Sequence, residues 1–290
     1  MVPIALLLWV STELGVYVMI GRHYLGAPWE VVVPGAFAAF LGLRAGITAV
    51  TWAFSYTYPS PAPPLAPGQT LRMMISEYLA FLLTFAVVLP LERLWMPPDR
   101  LRPCATPLLL VHGYGCSRGV WWWLRRRFEA AGHTVASVSL TPPYTNIGKL
   151  VPQLNQRIEE VCRATGADQV ILVAHSMGGL VCRSYLARHG GRRVEKLVTL
   201  ASPHAGSELA RIGFGKNARE MEPGSRWLKD LSMETIPVPV VSIRTPHDNY
   251  VMPQDSQRLP GATDIELDGI GHLAVLYARR AANAVLAACR

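Results

Sequence analysis

Hydrophobic residues are distributed differently in the two ends of this chain. In the first third, residues 2–20 and 31–53 are apolar runs of roughly the 20 residues that a helix needs to cross a bilayer. A third run, residues 78–91, reaches that length only with its flanks, from 73 to 95. The two longer runs lack the polar face of a helix in a protein core. We therefore predict an all-α transmembrane region with two or three spans in residues 1–96.

Two charged residues interrupt the longer apolar runs, Glu13 in the first and Arg44 in the second. An unpaired charge inside a membrane costs at least ~2.5 kcal/mol on insertion scales. In antiparallel helices both residues lie near the middle of the bilayer, so we expect them to form an ion pair.

Basic residues at the ends of the runs predict an orientation. Arg22 follows the first run and three arginines follow the third, whereas residues 55–71, between the second and third runs, contain none. With three spans, the positive-inside rule places the C-terminal part of the chain in the cytoplasm and residue 1 on the opposite side of the membrane.

Two proline clusters divide the chain. Residues 58–68 read YPSPAPPLAPG and are predicted to be a stiff, exposed connector, because proline fits neither a helix interior nor a central strand. Residues 96–103 read MPPDRLRP and mark the end of the membrane region. We assign residues 97–106 to a linker and residues 107–290 to a second domain.

From residue 107 onward, short apolar runs alternate with longer amphipathic ones. Continuous Val, Leu and Ile strands that alternate with helices are typical of a parallel sheet covered on both faces. We predict an α/β domain with about six mostly parallel strands flanked by helices, and any chemistry at the carboxyl ends of the strands. The predicted strands are residues 108–111, 135–140, 170–174, 196–200, 238–244 and 264–267, and the predicted helices are residues 121–131, 147–165, 177–189 and 272–288.

Composition narrows the class of protein. Half of the residues are hydrophobic, and the net charge of +8 lies almost entirely in residues 104–290, because residues 1–103 contain six arginines and five acidic residues. The basic clusters have no interleaved aromatic residues, so we expect no nucleic-acid partner and some attraction to anionic lipid headgroups. Five cysteines without C-x-x-C spacing indicate neither a disulfide framework nor a zinc site.

The sequence LVAHSMGG, residues 172–179, follows a predicted strand and opens a predicted helix. A serine hydroxyl is a poor nucleophile until a base accepts its proton, and a sharp strand-to-helix turn presents it to a substrate. Such a turn has room only for small residues two positions before and after the serine. Ala174, Gly178 and Gly179 meet this requirement around Ser176, although alanine replaces the first glycine of the G-x-S-x-G pattern. We predict that Ser176 is a nucleophile.

This motif, together with HGYG at residues 112–115, resembles the α/β-hydrolase fold, and more narrowly the bacterial triacylglycerol lipases and related esterases. Residues 202–210, SPHAGSELA, and 221–231, MEPGSRWLKDL, resemble segments of those lipases. The resemblance covers residues 107–290 and does not extend to the membrane region. It implies a minimal α/β-hydrolase without the first two strands of larger members, as in the smallest lipases.

The chain order of this family, serine, then acid, then histidine, implies the partners of Ser176. Asp248 follows the predicted strand 238–244, and His272 follows the last predicted strand. We predict that His272 is the general base and that Asp248 orients it, with His204 as the alternative base. The other candidate acids, interpreted as surface or turn carboxylates, are Asp255, Asp264 and Asp268.

The negative charge of a tetrahedral intermediate requires backbone donors, which this fold supplies from two places. We assign the oxyanion hole to the N–H groups of Met177, directly after the nucleophile, and Tyr114, in the loop after the first strand. His112 and Gly113 are expected to support that loop, and His175 is interpreted as a neighbour of the nucleophile. The remaining histidines, which we expect in solvent, are His23, His133, His189 and His247.

These assignments predict a membrane-anchored serine hydrolase of carboxylic esters, with lipid-like acyl chains as expected substrates and with no metal or cofactor. Residues 205–236 are long enough for a small cap over the site, and the three tryptophans at 121–123 lie beside the predicted oxyanion loop. We expect a bacterial inner-membrane protein whose catalytic domain lies in the cytoplasm. Two alternatives remain: a thioesterase or acyltransferase with the same triad, and a non-catalytic membrane-binding module.

Overall fold

The computed structural model describes residues 1–290, and three long helices come first. α1 (Val2–Met19) continues as a π-helix to Tyr24, α2 covers Trp29–Thr57, and α3 (Pro67–Leu82) continues as a π-helix to Val88. All three are long and apolar enough to cross a membrane. The third differs from the predicted span 73–95. It begins at a proline, which fits the first turn of a helix because no N–H partner is needed there, and a separate helix, α4 (Glu92–Trp95), follows it.

α1 and α2 form a hairpin joined by an ion pair. Arg44 donates to Glu13 with both terminal nitrogens, with Nη1–Oε1 at 2.5 Å and Nη2–Oε2 at 2.7 Å. Tyr17 donates to the same carboxylate, and the guanidinium lies 3.5 Å from the centre of the Phe40 ring. The predicted pairing is therefore confirmed. Large apolar side chains elsewhere on the hairpin are exposed, among them Leu8, Trp9, Trp29, Val33 and Phe37.

The second region, residues 107–290, is built on a six-stranded sheet in the order β2-β1-β3-β4-β5-β6, with every neighbouring pair parallel. The first three strands are buried throughout, as expected of strands that helices cover on both faces. The predicted strands are confirmed with small differences at their ends. They are β1 (Leu108–Val111), β2 (Val135–Val138), β3 (Val170–His175), β4 (Val194–Leu200), β5 (Val240–Arg244) and β6 (Thr263–Glu266).

Helices cover both faces of the sheet, and each face has its own hydrophobic core. One core includes Phe128 and Val285, and the other includes Leu154 and Leu180. The predicted helix 272–288 is too long at its start, because residues 274–277 form a 3₁₀ turn and Ala278 has an extended backbone. The helices are α5 (Trp122–Ala130), α6 (Val151–Thr165), α7 (Met177–His189), α8 (Lys216–Glu220), α9 (Arg226–Ser232) and α10 (Arg279–Ala288).

α3 packs against the second region along most of its length. Thr84 Oγ1 lies 2.7 Å from Tyr277 Oη, and Ala80 belongs to the same hydrophobic core as Val285. Apolar side chains such as Leu71, Ile75 and Leu79 stay exposed. The residues that α3 and its π-helical extension bury are Met73, Glu77, Ala80, Thr84 and Val88.

The proline-rich connector between α2 and α3 also packs on the second region. Ser60 N donates to Gln254 Oε1 at 2.7 Å, and Ser60 Oγ accepts a hydrogen bond from Asp255 N at 2.9 Å. His247 Nε2 donates to the Pro63 carbonyl oxygen at 3.0 Å. The connector is therefore bound on one side rather than fully exposed, and His247 is a bonded residue rather than a solvated one.

The start of α1 contacts the second region as well. Residues 1–4 line a cavity of about 180 Å³ together with Ser117, Ser139 and Leu140. The C-terminal end of α2 returns to the same region, where Ser55 Oγ donates to the Asp248 carbonyl oxygen at 3.0 Å. The α1–α2 hairpin therefore begins and ends at the second region, and its turn at residues 25–28 lies at the other end.

Candidate active site

Ser176 occupies a sharp turn between β3 and α7. Its φ is 55° and its ψ is −130°, a backbone conformation that is rare and strained for a residue other than glycine. Small neighbours make the turn possible. A Cβ on Gly178 would lie 2.8 Å from the His112 carbonyl oxygen, and a Cβ on Gly113 would lie 2.8 Å from Ser176 Cβ. The turn presents the serine hydroxyl at the carboxyl end of β3.

His272 bridges Ser176 and Asp248. Its Nε2 lies 3.0 Å from Ser176 Oγ, and its Nδ1 lies 2.8 Å from Asp248 Oδ2. Asp248 is fully buried, and its other oxygen accepts hydrogen bonds from the N–H groups of Tyr250 at 2.7 Å and Val251 at 2.8 Å. The fixed carboxylate favours the tautomer with the proton on Nδ1, which leaves Nε2 free to accept the serine proton. The structure thus brings the three predicted side chains together.

The surroundings of His272 affect its pKa in opposite directions. Burial alone lowers the pKa, but the charge of Asp248 and its hydrogen bond outweigh burial and raise the pKa above the ordinary value of 6.5. His175 lies beside it, with ring centres 4.8 Å apart, and donates from Nε2 to the His272 carbonyl oxygen at 3.1 Å. Burial holds the pKa of His175 well below its ordinary value, so His175 adds no positive charge next to the base.

The loop after β1 approaches the serine from another side. His112 Nε2 accepts a hydrogen bond from Leu140 N at 2.9 Å, and its Nδ1 donates to the Gly113 carbonyl oxygen at 2.8 Å. Burial lowers the pKa of His112 to about 4, so the ring is neutral and can make both bonds. The N–H of Tyr114 makes no hydrogen bond within the protein, and Met177 is the first residue of α7, whose N–H has no partner in the helix. Both N–H groups are therefore available to a ligand oxygen.

The alternative site residues have other partners. His204 Nε2 lies 3.1 Å from Thr199 Oγ1, and burial lowers the pKa of His204 to about 3. The structure therefore does not place this alternative base at Ser176. Among the histidines expected in solvent, His23 and His189 are exposed and His133 is half-buried. The other acids form ion pairs with arginines, namely Asp255 with Arg258, Asp264 with Arg244 and Arg258, and Asp268 with Arg280.

Residues 106–223 match the family model of the alpha/beta hydrolase fold. They contain the first four strands and the turn of Ser176, and the remaining strands complete the parallel sheet. The chain has the α/β-hydrolase fold. Its first strand already ends in the loop of His112 and Gly113, in agreement with the minimal form that the resemblance implies.

Similar curated sequences match the α/β-hydrolase part of the chain. Triacylglycerol lipases of Pseudarthrobacter phenanthrenivorans and Burkholderia plantarii are each 32% identical over 112 residues, which cover 36% of this chain and 35% and 31% of those lipases. Methylesterase 7 of Arabidopsis thaliana is 35% identical over 81 residues, which cover 25% of this chain and 30% of that enzyme. The chain therefore spans about a third of the length of the curated relatives it matches.

Solved structures of two lipases resemble the chain at low sequence identity. The mature lipase of Bacillus licheniformis has a TM-score of 0.57 at 19% identity and covers 67% of this chain and 94% of its own. Lipase B of Aspergillus fumigatus has a TM-score of 0.55 at 16% identity and covers 61% of this chain and 51% of its own. At these identities the likeness shows the fold alone.

One residue beside the site comes from outside the α/β-hydrolase part. Glu77, on α3, is fully buried, and its carboxylate accepts hydrogen bonds from the N–H groups of Leu273 at 3.0 Å and Ala274 at 2.8 Å, directly after His272. Gly271 faces the same carboxylate, and a Cβ at this position would collide with it. Sequence reasoning missed this role of Glu77. The available signal was a single acidic residue at the edge of an apolar run.

α2 reaches the same loops of the α/β-hydrolase part. Thr51 Oγ1 accepts a hydrogen bond from Asn249 Nδ2 at 2.8 Å, and Asn249 Oδ1 accepts one from His272 N at 3.2 Å. Ser55 binds the carbonyl of Asp248, as described above. The loops that carry Asp248 and His272 are thus both connected to α2, the second of them through Asn249.

A cavity of about 570 Å³ opens at Ser176 and His272, and 16 of the 25 residues that line it are hydrophobic. The predicted cap forms one side of it. Within residues 205–236, Ile212 and Gly213 line the cavity, whereas Leu228 belongs to a hydrophobic core. The tryptophans at 121–123 pack in or against the other core and do not line the cavity. The opposite side of the cavity is formed by Leu6, Ile47, Val50, Thr51, Phe81 and Phe85.

Proposed function

We propose that this protein is a membrane-anchored serine hydrolase that cleaves carboxylic esters. The observation that carries the proposal is the pair of hydrogen bonds from Ser176 through His272 to Asp248, 3.0 Å and 2.8 Å long, at the wall of an apolar cavity. The matched relatives support it, because they are named triacylglycerol lipase and methylesterase, which are names of ester hydrolases.

In the proposed reaction, Ser176 Oγ attacks the ester carbonyl carbon while His272 Nε2 accepts the hydroxyl proton. Asp248 stabilises the imidazolium, and the N–H groups of Tyr114 and Met177 donate to the negative oxygen. The bond between the carbonyl carbon and the alcohol oxygen then breaks, and His272 returns the proton to that oxygen. Water attacks the acyl-serine, with His272 again as base, and releases the carboxylic acid and free Ser176.

In this proposal the membrane anchor is the α1–α2 hairpin. The hairpin begins and ends at the α/β-hydrolase part, and α3 packs along that part instead of leaving it. This favours two spans, with residue 1 on the same side of the membrane as Ser176, rather than three spans with residue 1 on the opposite side. The turn end of the hairpin contains one arginine, Arg22, whereas four arginines lie between the hairpin and the α/β-hydrolase part. The positive-inside rule therefore favours a cytoplasmic location for the α/β-hydrolase part.

The test is labelling of membranes that contain the full chain with a fluorescent fluorophosphonate, alongside hydrolysis of p-nitrophenyl butyrate. We expect the wild type to be labelled and active, and Ser176→Ala to be neither. Ser232→Ala is the matched control, because Ser232 is exposed on α9 and bonds only to the Lys229 carbonyl. A folded wild type that is never labelled and hydrolyses no ester would contradict the proposal.

A further inference from the structure

The active-site cavity has a wall that the α/β-hydrolase part does not supply. Leu6 of α1, Ile47 and Val50 of α2, and Phe81 and Phe85 of α3 form it, all with apolar side chains. A soluble α/β-hydrolase would have to close this side with its own residues. Here three apolar helices, two of them the proposed membrane anchor, complete the cavity instead.

This wall is open toward the surroundings of the helices. Ile47 and Val50 line the cavity, yet 43% and 47% of their surfaces remain exposed. In water, an exposed apolar opening of this kind would be unfavourable. In the hydrocarbon of a bilayer it has no such cost, because lipid tails are as apolar as the side chains.

The positions of these residues along the helices place the opening in one leaflet. Glu13 and Arg44 pair near the middle of their helices, which we take as the bilayer midplane. At a rise of 1.5 Å per residue, Leu6 is about 10 Å from Glu13 and Val50 is about 9 Å from Arg44, both toward the α/β-hydrolase part. Half of the hydrocarbon core is about 15 Å thick, so both residues lie within the near leaflet.

We propose that this cavity receives an acyl chain directly from the near leaflet, through the opening beside Ile47 and Val50, so that the substrate is an ester lipid resident in that membrane. The inference rests on the proposed function, because it assigns the acyl site of the same Ser176. The chain lies along the apolar helix wall while the ester carbonyl reaches Ser176 Oγ and the N–H groups of Tyr114 and Met177. The lipid does not leave the membrane before it is cleaved.

The first test narrows the cavity with large side chains on its helix wall. Val50→Trp and Leu6→Trp fill the cavity from α2 and α1, and Val33→Trp and Leu8→Trp are matched controls on the same helices, at exposed positions that do not line it. Rates of p-nitrophenyl butyrate and palmitate hydrolysis are divided by the fraction of enzyme that a fluorophosphonate labels. We expect the palmitate-to-butyrate ratio of kcat/KM to fall about tenfold or more in the two wall variants, as for steric exclusion from an apolar pocket. The controls should keep the wild-type ratio.

The second test asks whether the substrate lipid must lie in the same membrane as the protein. The full chain is reconstituted in phosphatidylcholine vesicles, and a fluorogenic ester lipid with two long acyl chains is placed either in the same vesicles or in a separate population. Two-chain lipids leave a bilayer slowly, so we expect hydrolysis in the same vesicles to be about tenfold faster or more. Equal rates would show that the lipid is taken up from solution.

The two proposals fail in different ways. A wild type that hydrolyses neither p-nitrophenyl ester would overturn the proposed function and this inference with it. An active wild type whose wall variants keep the wild-type chain-length ratio, or which cleaves lipid in separate vesicles equally fast, would overturn only the inference. A matched loss in Val33→Trp and Leu8→Trp would also overturn it, because the effect would then not depend on the cavity.

Discussion

Ser176 combines a functional position with an unfavourable backbone conformation. At φ 55° its Cβ is crowded by neighbouring backbone, and strain of this kind costs on the order of 1–3 kcal/mol. In the proposed mechanism this strain accompanies the presentation of the Ser176 hydroxyl as a nucleophile. Two variants that both remove the hydroxyl separate the strain from the chemistry.

We expect Ser176→Gly to be more stable than Ser176→Ala by ~1 kcal/mol. Glycine relieves the backbone strain, and the larger conformational entropy of glycine in the unfolded chain cancels only part of that gain. Alanine keeps the Cβ and therefore the strain. The measurement is the thermal unfolding midpoint of both variants in the same detergent, with fluorophosphonate labelling absent from both. If the alanine variant were equally stable or more stable, the turn would not be strained.

The pKa of His272 predicts how the reaction depends on pH. Only neutral imidazole accepts the serine proton, so kcat/KM falls as the pH is lowered through that pKa. The charged or titratable groups around the ring are Asp248, Glu77 and His175, with Tyr250 stacked at 5.0 Å. Because the pKa is raised, we expect the midpoint of the acid limb above 6.5 for a soluble ester.

Asp248→Asn is the informative variant for this pH profile. It removes the charge that raises the pKa of His272, so the midpoint should move to lower pH while the rate falls by about 10⁴-fold. His133→Gln, a change at a half-buried histidine elsewhere, should leave the midpoint in place. An acid limb that does not respond to Asp248→Asn would mean that another group titrates.

At the scale of elements, the loop after β6 is held by a helix from another part of the chain. Glu77 of α3 accepts hydrogen bonds from the N–H groups of Leu273 and Ala274, and thereby fixes the backbone that carries His272. Glu77 does not touch the reacting atoms in the proposed mechanism, so we regard it as a positioning residue. Burial raises the pKa of Glu77 to about 7, so the group is mainly ionised above that pH, and an ionised carboxylate is a stronger acceptor of N–H hydrogen bonds than a neutral group.

We expect Glu77→Gln to lower kcat about tenfold with KM little changed, because the amide keeps one acceptor and loses the other. Glu77→Ala loses both acceptors and should lower kcat further, so the order is wild type, glutamine, alanine. Leu79→Ala, at an exposed position of the same helix, is the control. A change in KM alone, or full kcat in Glu77→Gln, would contradict the positioning role.

The ion pair between α1 and α2 leads to a second prediction at the scale of helices. In Arg44→Leu the buried Glu13 loses its partner, at a cost of at least ~2.5 kcal/mol inside a membrane. In the double variant Glu13→Leu/Arg44→Leu no charge is left, and replacing a buried ion pair with apolar residues is often neutral. We expect less folded protein for the single variant and recovery in the double variant, measured by size-exclusion chromatography of solubilised membranes. Equal yields of the wild type, the single variant and the double variant would argue against a stabilising role of the ion pair.

The elements show what the sequence could and could not predict. Strands such as β1 and β3 were predictable because each is a short apolar run between turns, whereas β6, which reads TDIE, is mostly polar and exposed. The chain order of Ser176, Asp248 and His272 places three side chains at carboxyl ends of strands. The limits of α3 were not predictable from apolar composition, because the helix includes the polar residues 67–72 that precede the apolar run. Glu77 and the loop of His272 are almost two hundred residues apart, and only tertiary packing brings them together.

For the whole molecule, the α1–α2 hairpin proposed as the anchor is structurally linked to the α/β-hydrolase part. The α1–α2 hairpin contributes side chains to the cavity and hydrogen bonds to the loop of Asp248 and Asn249, and Asn249 in turn bonds to His272 N. An anchor that merely tethered the enzyme could be removed without affecting the site. Here removal would open one wall of the cavity and leave Asn249 Nδ2 without Thr51, its partner on α2.

The arrangement of the whole chain across the membrane is the last prediction. If α1 and α2 are the two spans, cysteines introduced at residue 1 and residue 290 lie on the same side, and one in the turn at residue 26 lies on the other. The measurement is labelling of intact cells with a membrane-impermeant maleimide, in a background without the five native cysteines. We expect the cysteine at residue 26 to be labelled in intact cells, and the other two only after lysis, because the turn end of the hairpin contains only Arg22 whereas four arginines lie between the hairpin and the α/β-hydrolase part. Labelling of residue 1, without labelling of residue 26 or residue 290, cannot arise from a hairpin anchor. That pattern would require α3 to cross the bilayer, which conflicts with its packing against Tyr277 and the loop of His272.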